Sequence, residues 1–178
     1  MKIGIYGGSF DPIHNGHIYL AGCAKKEFNL DKIIFVPCNI PPYKNKKILT
    51  PALKRVGMIY MGINKEVSFE LDLFELIRNE VSYTIDTVKY FKEKFPKDYI
   101  CFIFGPDAYE TFKTWKDYKE IQKLVDLRFA ERSFMKDFYL GVRASDIRKL
   151  IKRDKSIKGL VNREVEEFII KNGLYKEV

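Results

Sequence analysis

Short apolar runs closed by glycine or proline alternate with helix-length amphipathic segments from the first residues of this chain onward. That alternation constrains the fold most, because parallel strands need a long crossover, usually a helix, between each pair. Residues 2–6 form a β-branched run stopped by Gly7-Gly8. Ile33-Ile34-Phe35-Val36 is continuously apolar up to Pro37, the pattern of a strand buried on both faces. Val67, Phe69, Leu71 and Leu73 alternate with polar residues, and residues 99–104 form another buried run before Gly105-Pro106. Residues 127–130 and 138–142 are further strand candidates. Helical patterns cover residues 16–28, the stretch from Pro51 to Ile63 with Thr50 as N-cap, and a segment from Tyr83 or Thr84 to Phe95. Shorter pieces lie at 107–112 and 117–124. Residues 144–153 and 163–172 close the chain, the last helix capped by Asn162 and stopped by Gly173. The order predicts a doubly wound, mostly parallel α/β sheet in one domain, residues 1–178, with no linker or repeat.

Composition narrows what such a sheet does. At 46% hydrophobic and 15% aromatic, the chain has material for a real core, which excludes a wholly disordered protein. No apolar stretch approaches the ~18–20 residues that cross a bilayer, so no membrane span is expected. The first residues run into Gly7-Gly8-Ser9 without a long apolar region, and no secretory signal is expected. Three cysteines, Cys23, Cys38 and Cys101, stand far apart. Their pattern is that of reduced thiols in a cytoplasmic protein, not a disulfide frame or a zinc site. The net charge of +8 marks either an anionic partner or a lysine-rich surface interleaved with acids. One cluster, Lys44, Lys46, Lys47, Lys54 and Arg55, has no acid between its members.

Between the first strand and the first helix lies Gly7-Gly8-Ser9-Phe10-Asp11-Pro12-Ile13-His14-Asn15-Gly16-His17. In open α/β sheets ligands bind outside the carboxyl ends of strands, at this kind of crevice. Adjacent glycines let a backbone approach a ligand, and the following helix directs its positive end to the same place. Phosphate is the natural guest. The segment is neither the P-loop G-x-x-x-x-G-K-[ST] nor the dinucleotide fingerprint G-x-G-x-x-G. Both histidines of the chain, His14 and His17, stand within it. Three uses are open to them: metal ligation with Asp11 as third ligand, hydrogen bonding to the loop backbone, or N–H donation to a pentavalent phosphorus transition state.

This segment resembles the H-x-G-H loop of the nucleotidyltransferase superfamily. Ser145-Asp146-Ile147-Arg148 resembles that superfamily's second mark, a hydroxyl residue ahead of Ile-Arg at the start of a late helix. The first motif alone leaves pantetheine-phosphate adenylyltransferases and cytidylyltransferases open. Asn39-Ile40-Pro41-Pro42-Tyr43-Lys44, Ser82-Tyr83-Thr84, Gly105-Pro106-Asp107, Thr114-Trp115 and Gly173-Leu174-Tyr175 narrow the resemblance to the bacterial nicotinate-nucleotide adenylyltransferases. It spans nearly the whole chain.

The resemblance implies a Rossmann-like fold and the transfer of AMP from ATP to nicotinate mononucleotide in NAD synthesis. It assigns Gly8, Ser9 and Phe10 to the nucleotide site through their backbones. His14, His17 and Lys44 would touch the ATP phosphates, Gly105 and Asp107 the ribose, and Ser145 and Arg148 the β- and γ-phosphates. Thr84 and Trp115 would meet the pyridine nucleotide, the indole stacking on its ring. Mg²⁺ is expected on the triphosphate, since the sequence shows no carboxylate cage for it. Other readings stand beside these. Ser145 is also suited to N-capping, Arg148 to a solvated helix face, Trp115 to anchoring the core, and Lys44 to plain loop charge. The rival functions are the same chemistry with nicotinamide mononucleotide or phosphopantetheine as acceptor, or a basic nucleotide- or RNA-binding module. Intact His14 and His17, without an aromatic-basic RNA motif, favour small-molecule substrates over nucleic acid. Two departures from the family pattern are Arg143, within Val142-Arg143-Ala144-Ser145, and a short stretch between Asp126 and Gly141.

Overall fold

Successive residues of the central strands face two different apolar layers, and this decides where the helices go. The computed structural model describes residues 1–42, 50–105, 108, 111–129 and 141–176. Its strands are β1 (Lys2–Gly8), β2 (Lys32–Pro37), β3 (Phe69–Leu71), β4 (Tyr99–Phe104) and β5 (Asp126–Phe129). Ile3 and Ile5 of β1, Ile34 and Val36 of β2, and Phe102 and Phe104 of β4 lie in one layer. Tyr6, Ile33, Phe35, Cys101 and Ile103 lie in the other. Both faces of the central strands are therefore apolar, and both must be covered by helices.

Helices α1 (Asn15–Glu27) and α2 (Ala52–Ile63) cover the Tyr6 face with Leu20, Ala21, Met58 and Ile59. Helices α6 (Ala144–Lys152) and α7 (Arg163–Lys171) add Ile147 and Val165 to the same layer. The opposite face receives Ile85, Val88 and Phe91 from α4 (Thr84–Lys94) and Ile121 from α5 (Tyr118–Leu124). Each buried Val, Leu, Ile, Phe or Met among these contributes about 1.5–3 kcal/mol. At Gly4 a Cβ would come within 2.7–2.9 Å of Ile103, Leu30 and Ile33, so only glycine fits there.

All strand pairs are parallel, in the order β3-β2-β1-β4-β5. The doubly wound sheet is as expected. Strand order reverses direction between β1 and β4, which opens a crevice at their carboxyl ends. Gly8 ends β1 on one side of it, and Gly105 follows β4 on the other. No helix among the described residues is long and apolar enough to cross a membrane.

Several elements differ from the sequence expectation. Only residues 69–71 pair as β3, while Val67 is exposed and Leu73 is the N-cap of a helix that periodicity missed, α3 (Phe74–Arg78). Five residues are too few to show a helical period. Pro51, not Thr50, takes the N-cap position of α2, and Arg143, not Ser145, takes that of α6. Residues 112–114 form a single 3₁₀ turn; of the 107–112 helical expectation half lies outside the described residues, and Ala108 is helical. The 138–142 strand candidate lies mostly outside them too, and Val142 is not in a strand. The last helix ends as its caps predict: Asn162 Oδ1 accepts from the Val165 N–H at 2.8 Å, and Gly173 adopts φ +57°.

Candidate active site

The chain leaves β1 through a left-handed turn made by Phe10 at φ 45°. For a residue other than glycine this costs about 1–3 kcal/mol. Burial of the ring offsets it, with Tyr6, His17 and Phe35 at centroid distances of 5.5, 5.0 and 5.6 Å. Gly8 belongs to that packing, because a Cβ there would stand 2.9 Å from the Phe10 ring. The glycine pair therefore first makes room for Phe10, a reason the sequence did not disclose. Gly105 is different: among the described residues nothing lies within 4 Å of where its Cβ would be.

His14 is the N-cap of α1. Its Nδ1 accepts from the His17 backbone N–H at 3.3 Å, while His17 Nδ1 accepts from the His14 N–H at 3.2 Å. This is a reciprocal capping box with imidazoles where Ser and Glu usually stand. The rings stack at 3.6 Å and 26°. Because Nδ1 is the acceptor in each, the proton of the neutral ring sits on Nε2. His14 is only 7% exposed, and burial lowers its pKa to about 4, so it is neutral at pH 7. Backbone bonding and phosphate donation are thus compatible uses of one residue. Nδ1 serves the first, and Nε2 carries the proton for the second.

Asp11 is not placed as a metal ligand. Its buried carboxylate accepts from the Tyr175 hydroxyl at 2.6 Å and from the Thr50 N–H at 3.2 Å. Burial pushes the Tyr175 phenol up, which keeps it a donor. The Asp11 carbonyl accepts from Nη1 of Arg148, so Arg148 is docked on the loop and half-buried, not solvated. Arg55, read from sequence as part of a basic cluster, is 2% exposed. It donates from Nε to the Thr50 carbonyl at 2.9 Å and from Nη1 to the Ser9 carbonyl at 3.0 Å. Residues 9–11 are gripped by partners 39, 46, 137 and 164 positions away. Ser145, second residue of α6, stands three positions before Arg148 and so on the same face. Lys44 and Asp107 lie outside the described residues.

On the far side of the crevice, Thr84 is the first residue of α4, whose N-cap Tyr83 makes no side-chain cap bond. Trp115 is half-buried, its ring against Phe104 at 5.3 Å and Phe112 at 5.7 Å. It is both a core anchor and a partly exposed ring. Lys116 lies over the Tyr83 ring at 4.4 Å, which holds the Trp115 segment beside the start of α4. Glu75, Ser82 and Thr87 form a hydroxyl–carboxyl cluster there that sequence reading missed.

Arg55, Thr50 and the Asp11–Tyr175 bond were missed as well. The signal for Arg55 was present: spacing to Met58 and Ile59 of three and four residues puts it on the buried face of α2. Nothing local marks the other two.

Fold and loop together define a nucleotidyltransferase of the Rossmann-like type. Residues 5–150 match the cytidylyltransferase-like family model. A probable nicotinate-nucleotide adenylyltransferase of Dictyoglomus thermophilum is 38% identical over 195 residues, covering 98% of this chain and 100% of that protein. The nicotinate-nucleotide adenylyltransferase of Bacillus subtilis is 34% identical over 186 residues, 98% of each chain. Plasmodium falciparum nicotinic acid mononucleotide adenylyltransferase, solved in complex with NaAD, shares the fold at TM-score 0.78 and 23% identity, over 98% of this chain and 97% of that one. The chain belongs to the cytidylyltransferase-like family and, within it, to the nicotinate-nucleotide adenylyltransferases.

Proposed function

We propose that this chain joins ATP to nicotinate mononucleotide, giving nicotinate adenine dinucleotide and pyrophosphate in NAD synthesis. The observation that carries the reading is the stacked His14–His17 pair, with His14 neutral by burial, at the β1–β4 crevice of a chain in this family. An oxygen of the mononucleotide phosphate attacks the α-phosphorus of ATP in line. The bond from that phosphorus to the bridging oxygen of the β-phosphate breaks, and pyrophosphate leaves with the electron pair. The nucleophile is already ionised at neutral pH, so no general base is required.

Catalysis is then orientation, worth about 7–11 kcal/mol, plus donors aimed at the developing charge, each worth roughly 3–4 kcal/mol. Nε2–H of His14 and of His17 are such donors, because Nδ1 of each ring accepts a backbone N–H and leaves Nε2 to carry the proton. The backbone of Gly8, Ser9 and Phe10 lines the nucleotide. Ser145 and Arg148 hold the β- and γ-phosphates with a helix terminus and a guanidinium fork, and Lys44 reaches the phosphates from the loop after β2. Gly105 and Asp107 hold the ribose, while Thr84 and Trp115 receive the pyridine. Among the described residues no three His, Cys, Asp or Glu side chains cluster to hold a cation. Mg²⁺ would be carried by the triphosphate and water, and would supply charge neutralisation there. Three cysteines outside any disulfide favour a cytoplasmic setting.

The test is product identification. Purified protein with ATP, Mg²⁺ and nicotinate mononucleotide should release pyrophosphate and a dinucleotide of matching mass, and phosphopantetheine should give neither. Turnover of phosphopantetheine alone would overturn the assignment.

A further inference from the structure

Glu75 takes no part in the ATP half of the crevice, yet it is 8% exposed on the short helix α3. Thr87 Oγ1 donates to its Oε1, and the Ser82 hydroxyl donates to the same carboxyl. Ser82 Oγ in turn accepts the Asn39 N–H at 2.8 Å, and the Ser82 N–H donates to the Ile40 carbonyl at 2.9 Å. Ser82 lies two residues before Thr84 and Thr87 three after it. One carboxyl therefore grips the first turn of α4 on both sides of Thr84. Through Ser82 it also reaches the Asn39–Ile40 segment that leaves β2. Arg78, three residues on along α3, adds an ion pair to Asp86 in the same turn at 3.1 Å.

As stabilisation alone this is a poor arrangement. A buried carboxyl is expensive to desolvate, and replacing such a polar set by apolar groups of similar shape is often neutral or favourable. What the cluster supplies is a fixed position for α4's amino-terminal N–H groups.

We propose that Glu75 is a positioning residue for the acceptor mononucleotide, acting through Ser82 and Thr87 on the first turn of α4 and on Asn39. The proposal rests on the reading of Thr84 as an acceptor contact. Steady-state kinetics of Glu75→Ala, Ser82→Ala and the double variant, varying ATP and nicotinate mononucleotide separately, test it. The expected result is a rise of at least fivefold in KM for the mononucleotide in each single variant, with KM for ATP within twofold of wild type. The double variant should be no worse than the worse single one, because both cut the same relay. If Glu75→Ala does not fold, Ser82→Ala decides alone. An unchanged mononucleotide KM, or equal rises for both substrates, would overturn the relay. Wild-type protein inactive on nicotinate mononucleotide would instead overturn the functional reading beneath it.

Discussion

The two sides of the crevice are built differently. The side proposed for the phosphates is a loop buried against the sheet, with Asp11 and Ser9 tied to Thr50, Arg55, Arg148 and Tyr175. Its two histidines are caps of α1 before they are anything else. The side proposed for the acceptor is a helix terminus without a side-chain cap and a half-exposed indole, with polar support one layer back in Glu75, Ser82 and Thr87. Rigid donors suit a charge that develops at one place, on the oxygens around the α-phosphorus. A helix terminus suits a ligand that arrives already charged. The first side should control turnover, and the second should control which molecule is accepted.

The largest expected effect falls on the phosphate side. His17→Ala should lower kcat by at least ~100-fold with little change in KM for ATP, since its bond strengthens in the transition state. A raised KM with kcat untouched would make it a ground-state contact and erase the contrast between the two sides.

Next comes the burial of His14, whose folded-state pKa of about 4 lies below the ordinary 6.5. The unfolded chain binds the extra proton between those values. The stability this contributes is therefore full above pH 6.5 and is lost as pH falls to about 4, some ~3 kcal/mol in all. Urea unfolding across that range should show the loss in wild type and a flatter profile in His14→Asn, which retains a capping side chain. Parallel profiles would mean that His14 is not held neutral by burial.

The smallest effect is geometric. Arg148→Lys keeps the charge but loses the fork that spans the Asp11 carbonyl and a phosphate, and kcat/KM for ATP should fall about tenfold. A wild-type value would return Arg148 to a surface role.

Motif residues on the phosphate side were readable, but not what holds them. The two histidines stand in the loop the motif marks, where they cap α1. The alternation of strands and helices and the cap of α7 are present in the structure and follow from local chemistry. The turn at Phe10 does not, because only three rings brought from elsewhere make its backbone affordable. Arg55 stands out in the sequence only as one of a basic cluster, while its spacing with Met58 and Ile59 places it on the buried face of α2. On the acceptor side, the stretch after β3 looked like continued alternation. Val67 and Leu73 in fact lie outside the paired residues, and α3 with Glu75 begins at once. Trp115 could not be divided between anchor and platform from sequence, because its contacts with Phe104 and Phe112 depend on the end of β4.

Acceptor choice tests most directly the claim that charge at α4's terminus selects the substrate. Nicotinate presents a carboxylate to those N–H groups, whereas the amide nitrogen of nicotinamide sets hydrogen against hydrogen and leaves a donor unpaired. The difference is ~2–4 kcal/mol, roughly 30- to 1,000-fold. The measurement is kcat/KM for nicotinate mononucleotide against nicotinamide mononucleotide at saturating ATP. A ratio of at least ~30 is predicted on those energies, and equal efficiency with the two would contradict the helix-terminus account.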